Sequence, residues 1–299
     1  MMDWKGVLPA ITTNLRQDLS VDHDALAAHC RWLIDSGCKG IVACGSLGEA
    51  ATLTFDEKVA IARTAVGAVR ERAPVVLGIS ALSTAEAVAL ARAGEKAGCR
   101  GLMVLPPYVY ATDWREMKAH VAATIAATPL SCMLYNNPGA YKTDFLPEQV
   151  SELAWEHKNL HAVKDSSGDV RRVTAIKALL GSRLDVLVGL DDAVVEGVDA
   201  GAVGWIAGLV NAFPVESVRL FEAARHGDRK TAQELYHWFL PMLRLDTLPR
   251  FVQHIKWIQA QAGHGTAWVR PPRLPLLGAD LELVQAIYQK AMATRPRVA

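Results

Sequence analysis

The chain has 299 residues, of which 51% are hydrophobic and 21% charged, with a formal net charge of +1. It can bury a large core, and its length suits either two modest domains or one α/β barrel. The small net charge offers no general attraction to nucleic acid or an anionic membrane, so any anionic substrate needs a local site.

The opening Met1-Met2-Asp3-Trp4-Lys5-Gly6 lacks the charged and apolar regions of a leader, and no segment approaches about 18 uninterrupted apolar residues. A soluble cytoplasmic protein is expected. Cys30, Cys38, Cys44, Cys99 and Cys132 are scattered and form no C-x-x-C, which predicts small buried hydrophobes rather than disulfides or metal ligands.

Short apolar runs alternate with longer amphipathic segments along the chain. Val7 to Thr12 reads as a first strand, with Pro9 arguing for its edge or start, and a helix begins near Val21 with Leu26, Cys30 and Leu33 at helical spacing. Gly40 to Cys44 is the second strand; the next helix starts at Thr54, where Thr54 and Glu57 form a capping box.

The unit recurs at Pro74–Ile79 with a helix from Thr84, Gly101–Leu105 with a helix from Asp113, and Leu130–Tyr135 with a helix from Leu146. It recurs again at His161–Lys164, Leu184–Val188 and Ala202–Ile206, with helices near Asp169, Asp192 and Pro214. Strands without polar alternation are buried on both faces, as in a parallel sheet wrapped by helices. The expectation is an α/β protein: a (β/α)8 TIM barrel over residues 1–226, with a helical extension over 227–299 packed on it. That extension carries helices at Lys230–Leu245, Leu248–Gln261 and Leu281–Met292, and the proline-rich Val269-Arg270-Pro271-Pro272-Arg273-Leu274-Pro275.

In such a barrel all strand C-termini converge on one face, and the chemically informative residues fall there. The sixth strand delivers Lys164 to Asp165-Ser166-Ser167-Gly168. A lysine at the end of a buried strand is costly unless exposed, paired or neutral, and a free amine there can attack a ketone to form an iminium that acts as an electron sink. Lysines such as Lys58, Lys118 and Lys230 fall on helices, where solvation suffices.

The fifth strand places Tyr135 beside Lys164, where a phenol can move the protons of an imine; alone it would read as a buried tyrosine with a hydrogen-bonded hydroxyl. Gly45-Ser46-Leu47-Gly48-Glu49 is either a tight strand-to-helix turn or a carboxylate cradle of backbone N–H groups and the Ser46 hydroxyl. Gly189-Leu190-Asp191-Asp192 offers carboxylates for substrate hydroxyls or amines, or a helix cap. Gly204-Trp205-Ile206-Ala207-Gly208 offers backbone carbonyls near the same mouth, and Tyr108 and Tyr110 add two phenols or an ordinary subunit contact. His161, inside a strand, reads as structural, and there is no P-loop, G-x-G-x-x-G or H-E-x-x-H.

Taken together, Gly45–Glu49, Tyr135-Asn136-Asn137-Pro138, Val163–Gly168 and Gly189–Asp192 resemble the dihydrodipicolinate synthase/N-acetylneuraminate lyase family over nearly the whole chain. The resemblance implies a class I aldolase-type lyase, usually a homotetramer, that forms a lysine Schiff base with a 2-oxo acid and uses no cofactor or metal. It gives Lys164 the Schiff base and Tyr135 proton transfer. Ser46, with the N–H groups of Ser46 and Leu47, takes the substrate carboxylate; the Ile206 carbonyl faces the lysine and tyrosine; and Tyr108 crosses a subunit interface.

Two positions depart from the family pattern. Leu47 stands where a hydroxyl residue relays protons, and Ala140 stands where synthases carry an arginine for the aldehyde substrate's carboxylate. A lost buried guanidinium–carboxylate pair is worth about 2 to 5 kcal/mol. The resemblance with these departures favours a Δ1-pyrroline-4-hydroxy-2-carboxylate deaminase, which opens a cyclic imino acid and needs one carboxylate site. Alternatives are 4-hydroxy-tetrahydrodipicolinate synthase, N-acetylneuraminate lyase, another 2-keto-3-deoxy acid aldolase or dehydratase, a metal-dependent aldolase, and a non-enzymatic 2-oxo acid sensor.

Overall fold

The computed structural model describes residues 2–107 and 113–296. Eight strands, β1 (Gly6–Pro9), β2 (Ile41–Ala43), β3 (Val75–Ile79), β4 (Gly101–Val104), β5 (Ser131–Asn136), β6 (Leu160–Asp165), β7 (Asp185–Val188) and β8 (Gly204–Ala207), form one parallel sheet in the order β1-β8-β7-β6-β5-β4-β3-β2. The ring closes between β1 and β2 through the parallel bridge Ala10–Val42 and the N–H of Ile11 on the Val42 carbonyl, 2.9 Å. This is the (β/α)8 barrel that the alternating pattern predicts.

Six of the strands are buried at every position, because side chains fill the barrel on one face and meet helices on the other. β1 is shorter than its apolar run. Past Pro9 the backbone leaves β8 for β2: the Ala10 N–H still donates to Ala207 O at 2.8 Å, whereas Ile11 donates to β2.

Helix starts follow the capping chemistry. Thr54 and Glu57 exchange their bonds as a capping box ahead of the helix Phe55–Val69, while Asp22, Ser83 and Asp113 each accept an N–H at the start of theirs. After β8 come the helices Pro214–Arg225, Arg229–Leu243, Phe251–Gln261 and Gly278–Ala293. The helix expected from Leu248 begins three residues later, after a 3-10 turn at Arg244–Thr247.

All five cysteines are free and buried, and burial pushes the Cys30, Cys44 and Cys132 thiols up to about 12. They are core side chains, as their scatter predicts. No helix among the described residues is long and apolar enough to cross a membrane.

Candidate active site

A cavity of about 620 Å³ opens at the C-terminal ends of the strands, and Ser46, Leu47, Tyr135, Lys164 and Ile206, singled out from the sequence, line it. Tyr135 and Lys164 are register partners on the neighbouring strands β5 and β6. Equal register puts both side chains on the same face of the sheet.

Lys164 is 6% exposed and Tyr135 4%, and the lysine Nζ lies 4.0 Å from the centre of the tyrosine ring. Among the described residues Lys164 Nζ makes no hydrogen bond or ion pair, and the Tyr135 ring face is within cation–π range of it. Asn137 Nδ2 donates to the Tyr135 hydroxyl at 3.0 Å, which leaves the phenolic proton for another acceptor. Gly189 on the far side of Lys164 has no room for a side chain: a Cβ there would stand 2.7 Å from Lys164 Cε and 2.0 Å from Ser166 Oγ. Its part is to let the lysine lie in the wall.

The loop after β2 is bent by two non-glycine residues in the left-handed region, Cys44 and Glu49, both at φ 57°. Gly48 between them lets the loop pack closely, since a Cβ would stand 3.0 Å from Ile11 O. Gly45, Ser46 and Leu47 line the cavity, and the N–H groups of Ser46 and Leu47 donate to no described residue. A loop turned this way has the free N–H groups that an anion nest needs, and it is a tight turn as well.

The nest is anchored from below. Glu49 is 1% exposed; its carboxylate accepts from Lys256 Nζ at 2.8 Å and from the Arg270 N–H at 2.9 Å, while Lys256 also donates to Thr13 O at 2.9 Å. Burial pulls the Lys256 ammonium below its ordinary range, and Glu49 opposes that pull. A buried pair of this kind costs desolvation, and its return is one fixed geometry for the loop.

Leu47 has no hydroxyl, and Tyr141 supplies one nearby. Its phenol hydrogen-bonds to the Ser46 hydroxyl, and its ring stands edge-on to Tyr135 at 5.7 Å and 88°. Tyr141 belongs to the short helix Pro138–Tyr141, which also brings Gly139 and Ala140 to the cavity wall.

The Asp191 carboxylate, a candidate substrate ligand from the sequence, is bonded within the protein. It is fully buried, and its carboxylate is occupied by Trp205 Nε1 at 3.0 Å and by the N–H groups of Gly208 and Leu209 at 3.0 and 2.7 Å, which locks the end of β8. The acid that reaches the cavity is Asp246, from the 3-10 turn after the helix Arg229–Leu243. Burial pushes Asp191 up to about 6; burial and then the Asp191 charge push Asp246 well above the usual carboxylate range, while Lys164 draws both down.

Ile206 lines the cavity as expected, and Tyr108 and Tyr110 lie outside the described residues. Lys58, expected to be solvated, is 4% exposed and donates to Ser80 O at 2.7 Å, because its helix turns that face to the barrel. Sequence reasoning missed Asp246, Arg273 and Ser166, whose hydroxyl is buried without a partner. Among the described residues no group of three or more His, Cys, Asp or Glu side chains is arranged to hold a metal ion.

Fold and cavity together define a barrel with an amine, a phenol and an anion nest at its C-terminal mouth. The model of the dihydrodipicolinate synthetase family matches residues 3–291, and the chain belongs to that family. It is a lyase of the class I aldolase type. It is 33% identical over 288 residues to the 4-hydroxy-tetrahydrodipicolinate synthase of Bartonella bacilliformis, covering 96% of this chain and 98% of that one. It is 31% identical to the enzyme of the same name from Geobacter metallireducens, again over 96% and 98%. Among solved structures, a dihydrodipicolinate synthase from Bacillus anthracis superposes with a TM-score of 0.93 at 28% identity, over 99% of this chain and 100% of that one. The Acinetobacter baumannii dihydrodipicolinate synthase complexed with pyruvate gives 0.92 at 27%, over 97% and 99%.

Proposed function

We propose that the chain is a lysine Schiff-base lyase whose first substrate is a 2-oxo acid, and that it works as a 4-hydroxy-tetrahydrodipicolinate synthase. The carrying observation is Lys164, buried in the cavity wall, without a hydrogen-bond partner among the described residues and 4.0 Å from the Tyr135 ring. An amine so placed is free to attack a carbonyl carbon.

In this reading the acid's carboxylate sits in the nest of the Ser46 hydroxyl and the N–H groups of Ser46 and Leu47. Lys164 adds to C2 of pyruvate, a C–N bond forms, and the ketone oxygen leaves as water after two proton transfers. The iminium withdraws electrons from C3, a C3 proton passes to Tyr135, and the enamine attacks the aldehyde carbon of aspartate semialdehyde. The Ser46–Tyr141 hydrogen bond takes over the relay that Leu47 cannot make. Support for the synthase reading comes from the names of the relatives at 31 and 33% identity over 96% of the chain.

One observation favours a second reading: Ala140, in the wall beside Tyr141, gives the helix Pro138–Tyr141 no cation. A Δ1-pyrroline-4-hydroxy-2-carboxylate deaminase needs none there. In it Lys164 would add to the ring C=N carbon, C3 would lose a proton to Tyr135, hydroxide would leave C4, and hydrolysis would release ammonia and 2-oxoglutarate semialdehyde.

The test is turnover of three substrates by the same enzyme: pyruvate with aspartate semialdehyde, the hydroxy-pyrroline acid, and N-acetylneuraminate. The proposal expects the first to be preferred. Preference for the second transfers the assignment to the deaminase, and no turnover of any rejects both. Assembly into a homotetramer belongs to the same proposal, and light scattering checks it by a mass near four chains of 32.4 kDa.

A further inference from the structure

Among the described residues the cavity wall contains two basic side chains, Lys164 and Arg273. Arg273 comes from the proline-rich segment after the helix Phe251–Gln261, a stretch that the reaction as described leaves without a part. That segment is tied firmly to the barrel. Arg270 makes a two-point ion pair with Glu57, at 2.6 and 2.8 Å, and donates to the carbonyls of Leu19 and Thr52 at 2.9 and 3.0 Å. The Arg270 guanidinium holds the Glu57 carboxyl down at about 2. Val269 and Leu276 are buried on either side, and the Arg273 N–H donates to Arg270 O at 3.1 Å.

Four arginines are partly buried among the described residues: Arg172, Arg183, Arg270 and Arg273. Arg172 pairs with both oxygens of Asp144, Arg183 donates to the carbonyls of Leu160, Ala154 and His157, and Arg270 is held as above. The Arg273 guanidinium alone has no hydrogen bond or ion pair among the described residues. A partly desolvated guanidinium on an anchored segment, facing a cavity, is a fork set for a planar anion.

We propose that Arg273 binds a second carboxylate, at the far end of the molecule or molecules whose first carboxylate lies in the Ser46–Leu47 nest. The cavity, at about 620 Å³, has room for a substrate with acid groups at both ends. Asp246 lies in the same wall, its carboxyl pushed well above the usual carboxylate range by burial and then by the Asp191 charge. Reach from the C-terminal segment thus replaces the cation absent at Ala140. This deepens the synthase reading, in which the condensing partners each carry a carboxylate, and it rests on that reading for the place of the first one.

Calorimetry and borohydride trapping test it with the same ligands: pyruvate, 2-oxoglutarate, 2-oxoadipate and 2-oxopimelate, with 2-oxo monocarboxylates of matching length as controls. For the wild type, at least one dicarboxylate should bind about tenfold or more tightly than its monocarboxylate control. R273Q should erase that preference and leave pyruvate binding within about twofold; R273K, keeping charge without the fork, should recover part of it. No preference in the wild type, or a preference that survives R273Q, overturns the inference. Trapping keeps the two claims apart. A preference lost in R273Q without any lysine adduct rejects the Schiff base and keeps Arg273; a pyruvate adduct with no dicarboxylate preference does the reverse.

Discussion

The barrel has a cavity at each end, and the two are built from opposite ends of the same strands. The one at the N-terminal ends, about 790 Å³, is the larger, and its wall includes Lys5, Lys39, Arg72, Arg100 and His161. Its polar groups are exposed or mutually paired, as in Arg100 with Glu71 at 2.9 Å and His161 with Ser131 at 2.8 Å. The one at the C-terminal ends is smaller, yet among the described residues it holds a buried lysine without a hydrogen-bond partner, a phenol ring against it and a loop whose Ser46 and Leu47 N–H groups are unbonded. Size therefore does not locate chemistry in this fold; desolvated groups with unused bonding capacity do.

The largest expected departure from that contrast comes from the phenol. Tyr135→Phe keeps the ring against Lys164 and removes the proton carrier, so kcat should fall by about 10²- to 10⁴-fold with imine formation still detectable; stopped-flow and trapping together measure this. A fall of less than about threefold would give the proton transfer to another group in the wall, such as Tyr141 or Asp246.

Next is the anchor of the nest. Lys256→Met strands the buried Glu49 carboxylate, which should cost about 3 to 5 kcal/mol in urea unfolding. In the protein that remains folded, KM for the 2-oxo acid should rise more than kcat falls, because the loop that holds the carboxylate loses its tether. Equal effects on both would mean that Glu49 and Lys256 serve only the fold. The smallest effect belongs to the opposite end: Arg100→Ala, in the larger cavity, should leave kcat/KM within about twofold. A tenfold loss there would break the division between the two ends.

How much of this was legible in the sequence follows the same geometry. Strands buried on both faces leave unbroken apolar runs, so the barrel, Tyr135 and Lys164 could be placed from the runs and their ends. The Thr54–Glu57 capping box was legible because its chemistry is local. Asp191 was open to two readings because a carboxylate at a strand end serves equally well to bind substrate or to fasten the backbone, and the bonds it accepts from Trp205, Gly208 and Leu209 are not legible in the sequence. Lys58 misled because a helical lysine was assigned to solvent without knowing which face of its helix meets the barrel.

Asp246, Lys256 and Arg273 were out of reach for a different reason. They lie on segments beyond the eighth strand, where no sheet register fixes their neighbours. Their partners, Asp191, Glu49 and the cavity itself, are distant in sequence. Leu47 and Ala140 are legible in the sequence as departures from the family pattern, but the groups that share the cavity wall with them, Tyr141 and Arg273, become visible only in three dimensions.

The central claim is that Lys164 is the residue that bonds to substrate. Its most direct test is reduction of the enzyme with sodium borohydride in the presence of pyruvate, followed by peptide mass spectrometry. The account predicts one reduced pyruvate adduct per chain, on Lys164, absent from Lys164→Ala together with turnover. An adduct on Lys58 or Lys256 instead, or full turnover with no adduct at Lys164, would contradict it.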